Sequence, residues 1–177
     1  SRRVRAKNGK LTPAFQRLFT HDGVVAIARQ LGVPADADGR LAIHPAWNLR
    51  GKMPSHDETE VPWHQDNSYW EPRLWSQQIF TAWVPLVDAT PANGCMYVVP
   101  RRGDRAYAEG GDGAVADPVA AALGADEASG AKACYQRVRA LPLDAGGFLL
   151  LSHRVVHWGA AAAPDHREPP RVALSFG

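Results

Sequence analysis

Cysteine, long apolar runs and charge of one sign are what this sequence has least of. Two cysteines, Cys95 and Cys134, among 177 residues allow at most one disulfide. That excludes a disulfide scaffold and suggests free thiols in a reducing, cytoplasmic setting. No apolar run approaches the roughly 20 residues of a membrane span, and no signal-peptide pattern opens the chain. A formal net charge of +2 offers no basic surface for nucleic acid or a membrane. Arg2, Arg3 and Arg5 are the one basic cluster and read as a solvated end. Neither an internal repeat nor a linker divides the sequence.

What is present fits one domain. An apolar fraction of 45% is ordinary for a globular protein, and the length is enough to bury a core. Residues 12 to 31 read as a helical pair: Thr12-Pro13 is a cap followed by proline, Phe15, Leu18 and Phe19 make one apolar stripe, and Val24, Ile27, Ala28 and Leu31 make another, ended by Gly32. Strand signals follow at 41 to 49, 78 to 86 and 96 to 100, the last two joined by a turn at Asn93-Gly94. Residues 103 to 133 are rich in Gly, Ala and Asp, with a helical piece near 118 to 123, and read as a surface insertion. Further strands are expected at 136 to 143, 148 to 151, 155 to 159 and 171 to 176. Many short strands behind one helical end predict a mainly β fold with flanking helices, a jelly roll. The expected organisation is a single domain over 1–177, with 1–40 as helical flank and 41–177 as β core. The sequence opens Ser-Arg-Arg without methionine and stops inside an apparent strand, which leaves a longer parent protein open.

The chemistry concentrates in Val61-Pro62-Trp63-His64-Gln65-Asp66. On an extended strand His64 and Asp66 share a face while Gln65 points away. An imidazole and a carboxylate side by side offer two cis positions to a divalent metal, the beginning of a 2-His-1-carboxylate triad. With 7 His in the chain, chance alone supplies His-x-Asp roughly half a time, so the pair needs company. His157 is the third candidate, brought opposite an early strand by a jelly roll. His153 has the same strand parity and competes with it, unless Ser152-His153-Arg154 is a turn. His166-Arg167-Glu168 also has ligand spacing but precedes Pro169-Pro170 and is expected to be solvent-exposed. His21, His44 and His56 have no partner at metal spacing. Lys52 to Glu60 read as a polar loop in which Asp57, Glu58 and Glu60 are solvated, and Trp63, Tyr69, Trp70 and Trp75 form an aromatic patch that either fills the core or lines a pocket.

Arg171 opens the strand Arg171-Val172-Ala173-Leu174-Ser175-Phe176, in which Arg171, Ala173 and Ser175 share one face. An inward guanidinium there needs an anionic partner. A dicarboxylate would supply one, through paired N–H···O bonds that lysine cannot reproduce. The alternative is an outward arginine at a strand end.

Four segments, in order, carry a resemblance: Pro62 to Trp70, Ala82 to Thr90, Asn93 to Pro100, and Ala145 to Phe176. Together the chain resembles the phytanoyl-CoA dioxygenase-like family of iron(II)/2-oxoglutarate-dependent oxygenases, over roughly 41 to 100 and 136 to 177. The resemblance implies a double-stranded β-helix of cupin type and makes His64, Asp66 and His157 the iron ligands. It places Arg171 on the distal carboxylate of 2-oxoglutarate, with Trp83 beside the co-substrate and Asn48 and Trp70 in its pocket. It implies iron(II), 2-oxoglutarate and dioxygen as cofactor and co-substrates, no catalytic residue beyond the ligands, and a small-molecule substrate hydroxylated with release of succinate and carbon dioxide. Halogenating relatives lack the carboxylate ligand, so Asp66 favours hydroxylation. Two positions depart from the family. Gly159 stands where relatives often place a serine that donates to the co-substrate, and Arg101-Arg102-Gly103 follows Pro100 where Gly-Ser-His is common. Two other readings stay open: a cupin-like metal-dependent hydrolase or isomerase that needs no keto acid, and a non-catalytic jelly-roll binding protein. Substrate identity and oligomeric state are not indicated.

Overall fold

Two four-stranded antiparallel sheets face each other in a computed structural model, which describes residues 12–43, 47–54, 60–69, 78–104, 107, 135–167 and 169–177. The strands are β1 (Trp47–Lys52), β2 (Val61–His64), β3 (Phe80–Pro85), β4 (Met96–Val98), β5 (Arg139–Leu141), β6 (Leu149–Ser152), β7 (His157–Gly159) and β8 (Arg171–Phe176). Their order is β1-β8-β3-β6 in one sheet and β2-β7-β4-β5 in the other. Neighbours in space are distant in sequence, as in the expected double-stranded β-helix. Among the described residues two helices precede the strands, α1 (Pro13–Phe19) and α2 (Asp22–Gln30). No helix among the described residues is long and apolar enough to cross a membrane.

Alternation along the strands builds two layers of core. On β3, Ala82 and Val84 face outward with Leu174 and Phe176 of β8, and Phe15, Leu18, Phe19 and Val24 of the helices cover them. Phe19 and Phe176 meet at 4.3 Å between ring centroids. A seven-residue helix without a side-chain cap is too short to persist alone, so α1 depends on this contact. Burying each such phenylalanine contributes about 1.5–3 kcal/mol. The opposite parity points inward: Trp83, Leu151 and Ala173 pack between the sheets against Met96, Val98 and Cys95.

Several boundaries differ from the sequence reading. The helical run is broken by Thr20 and His21, because His21 turns to accept the Gly23 N–H and start α2. The first strand lies later than expected: Leu41 makes only an isolated bridge with Ala35, and β1 runs on to Lys52 because its whole length pairs with β8. Asn93-Gly94 does form a turn, yet β3 and β4 on either side of it belong to different sheets. Gly94 has φ +84°, and a Cβ there would sit 2.5 Å from the Ala160 carbonyl oxygen, so the turn is fitted to a neighbouring backbone and not to a hairpin. The strand expected over 136 to 143 shortens to β5, with Leu143 bridging Ala89 beyond it. The helical piece near 118 to 123, Cys134, His44, His56, Asp57, Glu58, Trp70, Trp75 and Glu168 lie outside the described residues.

Candidate metal centre

His64 ends β2 and His157 begins β7, and the two are register partners in the antiparallel ladder. Their side chains therefore leave the same face as direct cross-strand neighbours. Asp66 arrives differently from the sequence expectation. The strand stops at His64, and Asp66 opens a 3-10 turn, Asp66–Tyr69. Gln65 Nε2 donates to the Arg154 carbonyl at 2.5 Å and the Asn67 N–H to that of His153 at 3.1 Å. Those bonds tie the turn to the β6–β7 connection and swing the carboxylate toward both imidazoles. Asp66 Oδ1 is 3.5 Å from His64 Nε2 and 3.8 Å from His157 Nε2. One donor atom from each residue lies within 4.8 Å of the others.

The tautomers follow from the backbone. His64 Nδ1 is 2.7 Å from the Pro62 carbonyl oxygen, and His157 Nδ1 is 2.9 Å from that of Val155. A carbonyl only accepts, so each Nδ1 carries the proton and each Nε2 presents a lone pair toward Asp66. Thr81 Oγ1 donates to the second carboxylate oxygen, Oδ2, leaving Oδ1 for the centre. Burial raises the Asp66 pKa, but His64 and His157, which stabilise the carboxylate whenever an imidazole takes up a second proton at Nε2, and the Thr81 hydroxyl outweigh it and hold the group at about 2. Burial pushes the His157 imidazole down, toward its neutral, ligating form. Two neutral imidazoles and one anionic carboxylate on one side of a point are a donor set that fits a divalent transition ion.

The donors open on a cavity between the sheets. His64, Asp66 and His157 share its lining with Thr81, Trp83 and Arg171, beside the apolar side chains Met96 and Leu151. Asn48 also lines it, opposite Ser175 in the β1–β8 ladder. Arg171 is 2% exposed. Its Nε donates to the Gly94 carbonyl at 3.2 Å, and its guanidinium lies 5.3 Å from the centre of the Trp83 ring. The fitted turn at Gly94 thus aims the arginine. Burial and Arg50 lower the Arg171 pKa to about 10, with the Cys95 thiol acting the other way; no carboxylate among the described residues is one of these influences. The guanidinium stays charged and turns into the cavity, not outward to solvent.

Of the residues singled out from sequence, His64, Asp66, His157, Arg171, Trp83 and Asn48 converge here, and Trp70 lies outside the described residues. His153 is in the turn after β6, 2% exposed, with Nδ1 3.0 Å from the Ile79 carbonyl oxygen, and takes no part in the cluster. His166 is not solvent-exposed as expected: it is partly buried, and its Nε2 has no hydrogen-bond partner among the described residues. Arg101 and Arg102 are exposed in a 3-10 turn, and neither lines the cavity. Sequence reasoning missed Thr81 and Lys52. Thr81 was open to discovery, since it precedes Trp83 by two on one strand face; Lys52 was hidden by its apparent place in a polar loop.

Comparison with known proteins agrees with this fold. Solved structures of the same fold include the epimerase SnoN in complex with Fe3+, alpha ketoglutarate and nogalamycin RO, at 23% identity and TM-score 0.61, covering 93% of this chain and 58% of that one. They include the non-heme alpha ketoglutarate dependent carbocyclase SnoK, at 19% and 0.60 over 93% and 57%. AviO1 from Streptomyces viridochromogenes Tue57 is a third, at 18% and 0.53 over 96% and 63%. The chain thus spans less than two thirds of these structures' length. No curated protein matches in sequence. The profile of the phytanoyl-CoA dioxygenase (PhyH) family matches residues 2–167, a span that holds His64, Asp66 and His157. With a match over nearly its whole length, the chain belongs to the phytanoyl-CoA dioxygenase family.

Proposed function

We propose that this chain carries the active centre of an iron(II)- and 2-oxoglutarate-dependent oxygenase that hydroxylates a small molecule. The observation that carries this reading is a three-donor cluster, His64, Asp66 and His157, opening on the same cavity as the buried Arg171. The donor set fits the metal, and the buried guanidinium of Arg171 fits a carboxylate. Three protein ligands grouped on one side would leave the other side of the ion to small molecules. When bound, iron and 2-oxoglutarate supply the oxidising chemistry, in which dioxygen converts the keto acid to succinate and carbon dioxide and leaves one oxygen atom for the substrate.

The remaining work falls to side chains. His64 and His157 hold Nε2 toward the metal through their backbone-bound Nδ1–H groups, and Thr81 keeps the carboxylate of Asp66 from rotating. Arg171 would take the distal carboxylate of 2-oxoglutarate, braced by Trp83 and the Gly94 carbonyl. Asn48 stands on the same strand face as Arg50, at the cavity wall. Met96, Leu151 and Trp83 supply apolar lining that limits water near the centre.

A cupin-like hydrolase or isomerase would have no use for Arg171, which favours the keto-acid reading over it. SnoN is an epimerase and SnoK a carbocyclase, so a substrate screen must read both succinate and the product. Succinate formed together with a product one oxygen atom heavier supports hydroxylation. Succinate with a product of substrate mass, or two hydrogens lighter, replaces hydroxylation with epimerisation or ring closure.

A further inference from the structure

Position 159 is a glycine two residues after His157, and the space beside it is taken. A Cβ on Gly159 would lie 3.3 Å from Lys52 Cε, 3.5 Å from Lys52 Nζ and 3.6 Å from a terminal nitrogen of Arg171. An ammonium and a guanidinium therefore converge beside Gly159, which lines the cavity. Lys52 is the last residue of β1 and the register partner of Arg171 on β8. It has the parity of Asn48 and Arg50, both of which line the cavity.

Lys52 is 1% exposed, the most deeply buried of the lysine and arginine side chains in the core. Its Nζ donates to the Gly159 carbonyl at 2.6 Å. An ammonium has three donors, and the other two have no hydrogen-bond partner among the described residues. Two adjoining buried cations repel each other and are each costly to desolvate, a pairing that makes sense when an anion joins them. Burial, followed by the charge of Arg171, accordingly lowers the Lys52 pKa to about 7, against a smaller opposing effect of Glu60.

We propose that Lys52 is a co-substrate-binding residue, its ammonium giving the distal carboxylate of a 2-oxo dicarboxylate a second contact beside Arg171, in the room a hydroxyl side chain at 159 would occupy. This rests on reading the site as a keto-acid site. One carboxylate oxygen pair meets the guanidinium and a remaining lone pair meets the ammonium. Two cations at the far end of the co-substrate select for a dicarboxylate over a keto acid that ends in a methyl group.

The test is calorimetric titration of the Mn(II)-loaded protein with 2-oxoglutarate and, separately, with 2-oxopentanoate, which has the same chain length and no distal carboxylate. In Lys52→Met the Kd for 2-oxoglutarate is expected to rise at least tenfold, while the Kd for 2-oxopentanoate stays within twofold and Mn(II) still binds. Unchanged 2-oxoglutarate affinity, or an equal loss for both acids, overturns the role of Lys52. Should Lys52→Met lose Mn(II), Gly159→Ala decides: its Cβ displaces the lysine and is expected to weaken 2-oxoglutarate alone by threefold or more, and no change overturns the proposal. A wild-type protein that binds Mn(II) but neither keto acid overturns the keto-acid reading itself, and the role of Lys52 falls with it.

Discussion

His64 and His157 face each other across the β2–β7 ladder as register partners, with ring centroids 4.3 Å apart. Ninety-two residues lie between them in the chain, and a single pair of strands makes them neighbours. The proposed metal centre is thus a property of sheet pairing, and substitutions that leave the ladder intact should act on it one donor at a time.

The two histidines of the β6–β7 segment should behave oppositely. His157→Ala removes a donor from the cluster and is expected to abolish stoichiometric Fe(II) or Mn(II) binding without unfolding the chain. His153→Ala leaves the cluster intact and opens a buried site beside the Ile79 carbonyl. It should retain metal and lose stability, by about 0.5–1.5 kcal/mol for the lost ring hydrogen bond, while the Ile79 carbonyl keeps the bond from the backbone N–H of residue 153. Metal titration together with denaturant unfolding of both variants separates the outcomes; metal loss in His153→Ala alone would reverse the ligand assignment.

Thr81→Val keeps the shape of the side chain and deletes the hydrogen bond to Asp66 Oδ2. Partners behind a ligand typically contribute about 10–100-fold in metal affinity. A competition titration with a chelating dye should find a loss of that order at neutral pH. An unchanged affinity would mean that the carboxylate is oriented by the 3-10 turn alone.

Gly94→Ala tests how the arginine is aimed. The new Cβ would meet the Ala160 carbonyl oxygen at 2.5 Å from a backbone at φ +84°. Strain of this kind costs about 1–3 kcal/mol, and the shifted turn withdraws the carbonyl that accepts from Arg171 Nε. Lower unfolding stability and weaker 2-oxoglutarate binding should appear together, with metal affinity preserved.

Co-substrate affinity should depend on pH through Lys52. Its pKa in the folded chain is lowered to about 7 by burial and then by Arg171, with Arg50 adding slightly and Glu60 opposing. A carboxylate beside the ammonium raises that value again, so binding takes up a proton above pH 7. Affinity for 2-oxoglutarate is accordingly greatest below pH 7 and falls as pH rises past it, by up to about tenfold per unit for one linked proton. Calorimetry in buffers of different ionisation enthalpy reads that proton directly, and Lys52→Met should abolish it.

Much of this centre was legible in the residues because its parts are short and local. His-x-Asp at the end of a strand, a late histidine and a strand-opening arginine each carry their chemistry in a few letters, and the jelly-roll expectation supplied the reason for them to meet. Asp66 joined His64 for a different reason from the one alternation suggested: tertiary hydrogen bonds from Gln65 and Asn67 ended the strand and replaced it with a 3-10 turn. Lys52 was read as the start of a polar loop, since composition reports polarity and not pairing; only the full-length β1–β8 ladder places it opposite Arg171. His166 looked exposed beside Pro169-Pro170, yet packing half-buries it. For Asp66 and Lys52, what sequence pattern missed was a contact made by backbone far away in the chain.

The account is tested most directly by anaerobic spectroscopy of the purified protein. Fe(II) is added first and 2-oxoglutarate second, with Arg171→Gln run alongside. A weak visible charge-transfer band that appears with the keto acid, saturates at one equivalent of iron, and needs far more 2-oxoglutarate in the variant is the expected result. Iron that binds at His64, Asp66 and His157 with no band at any keto-acid concentration would contradict the reading of this cavity as a 2-oxoglutarate site.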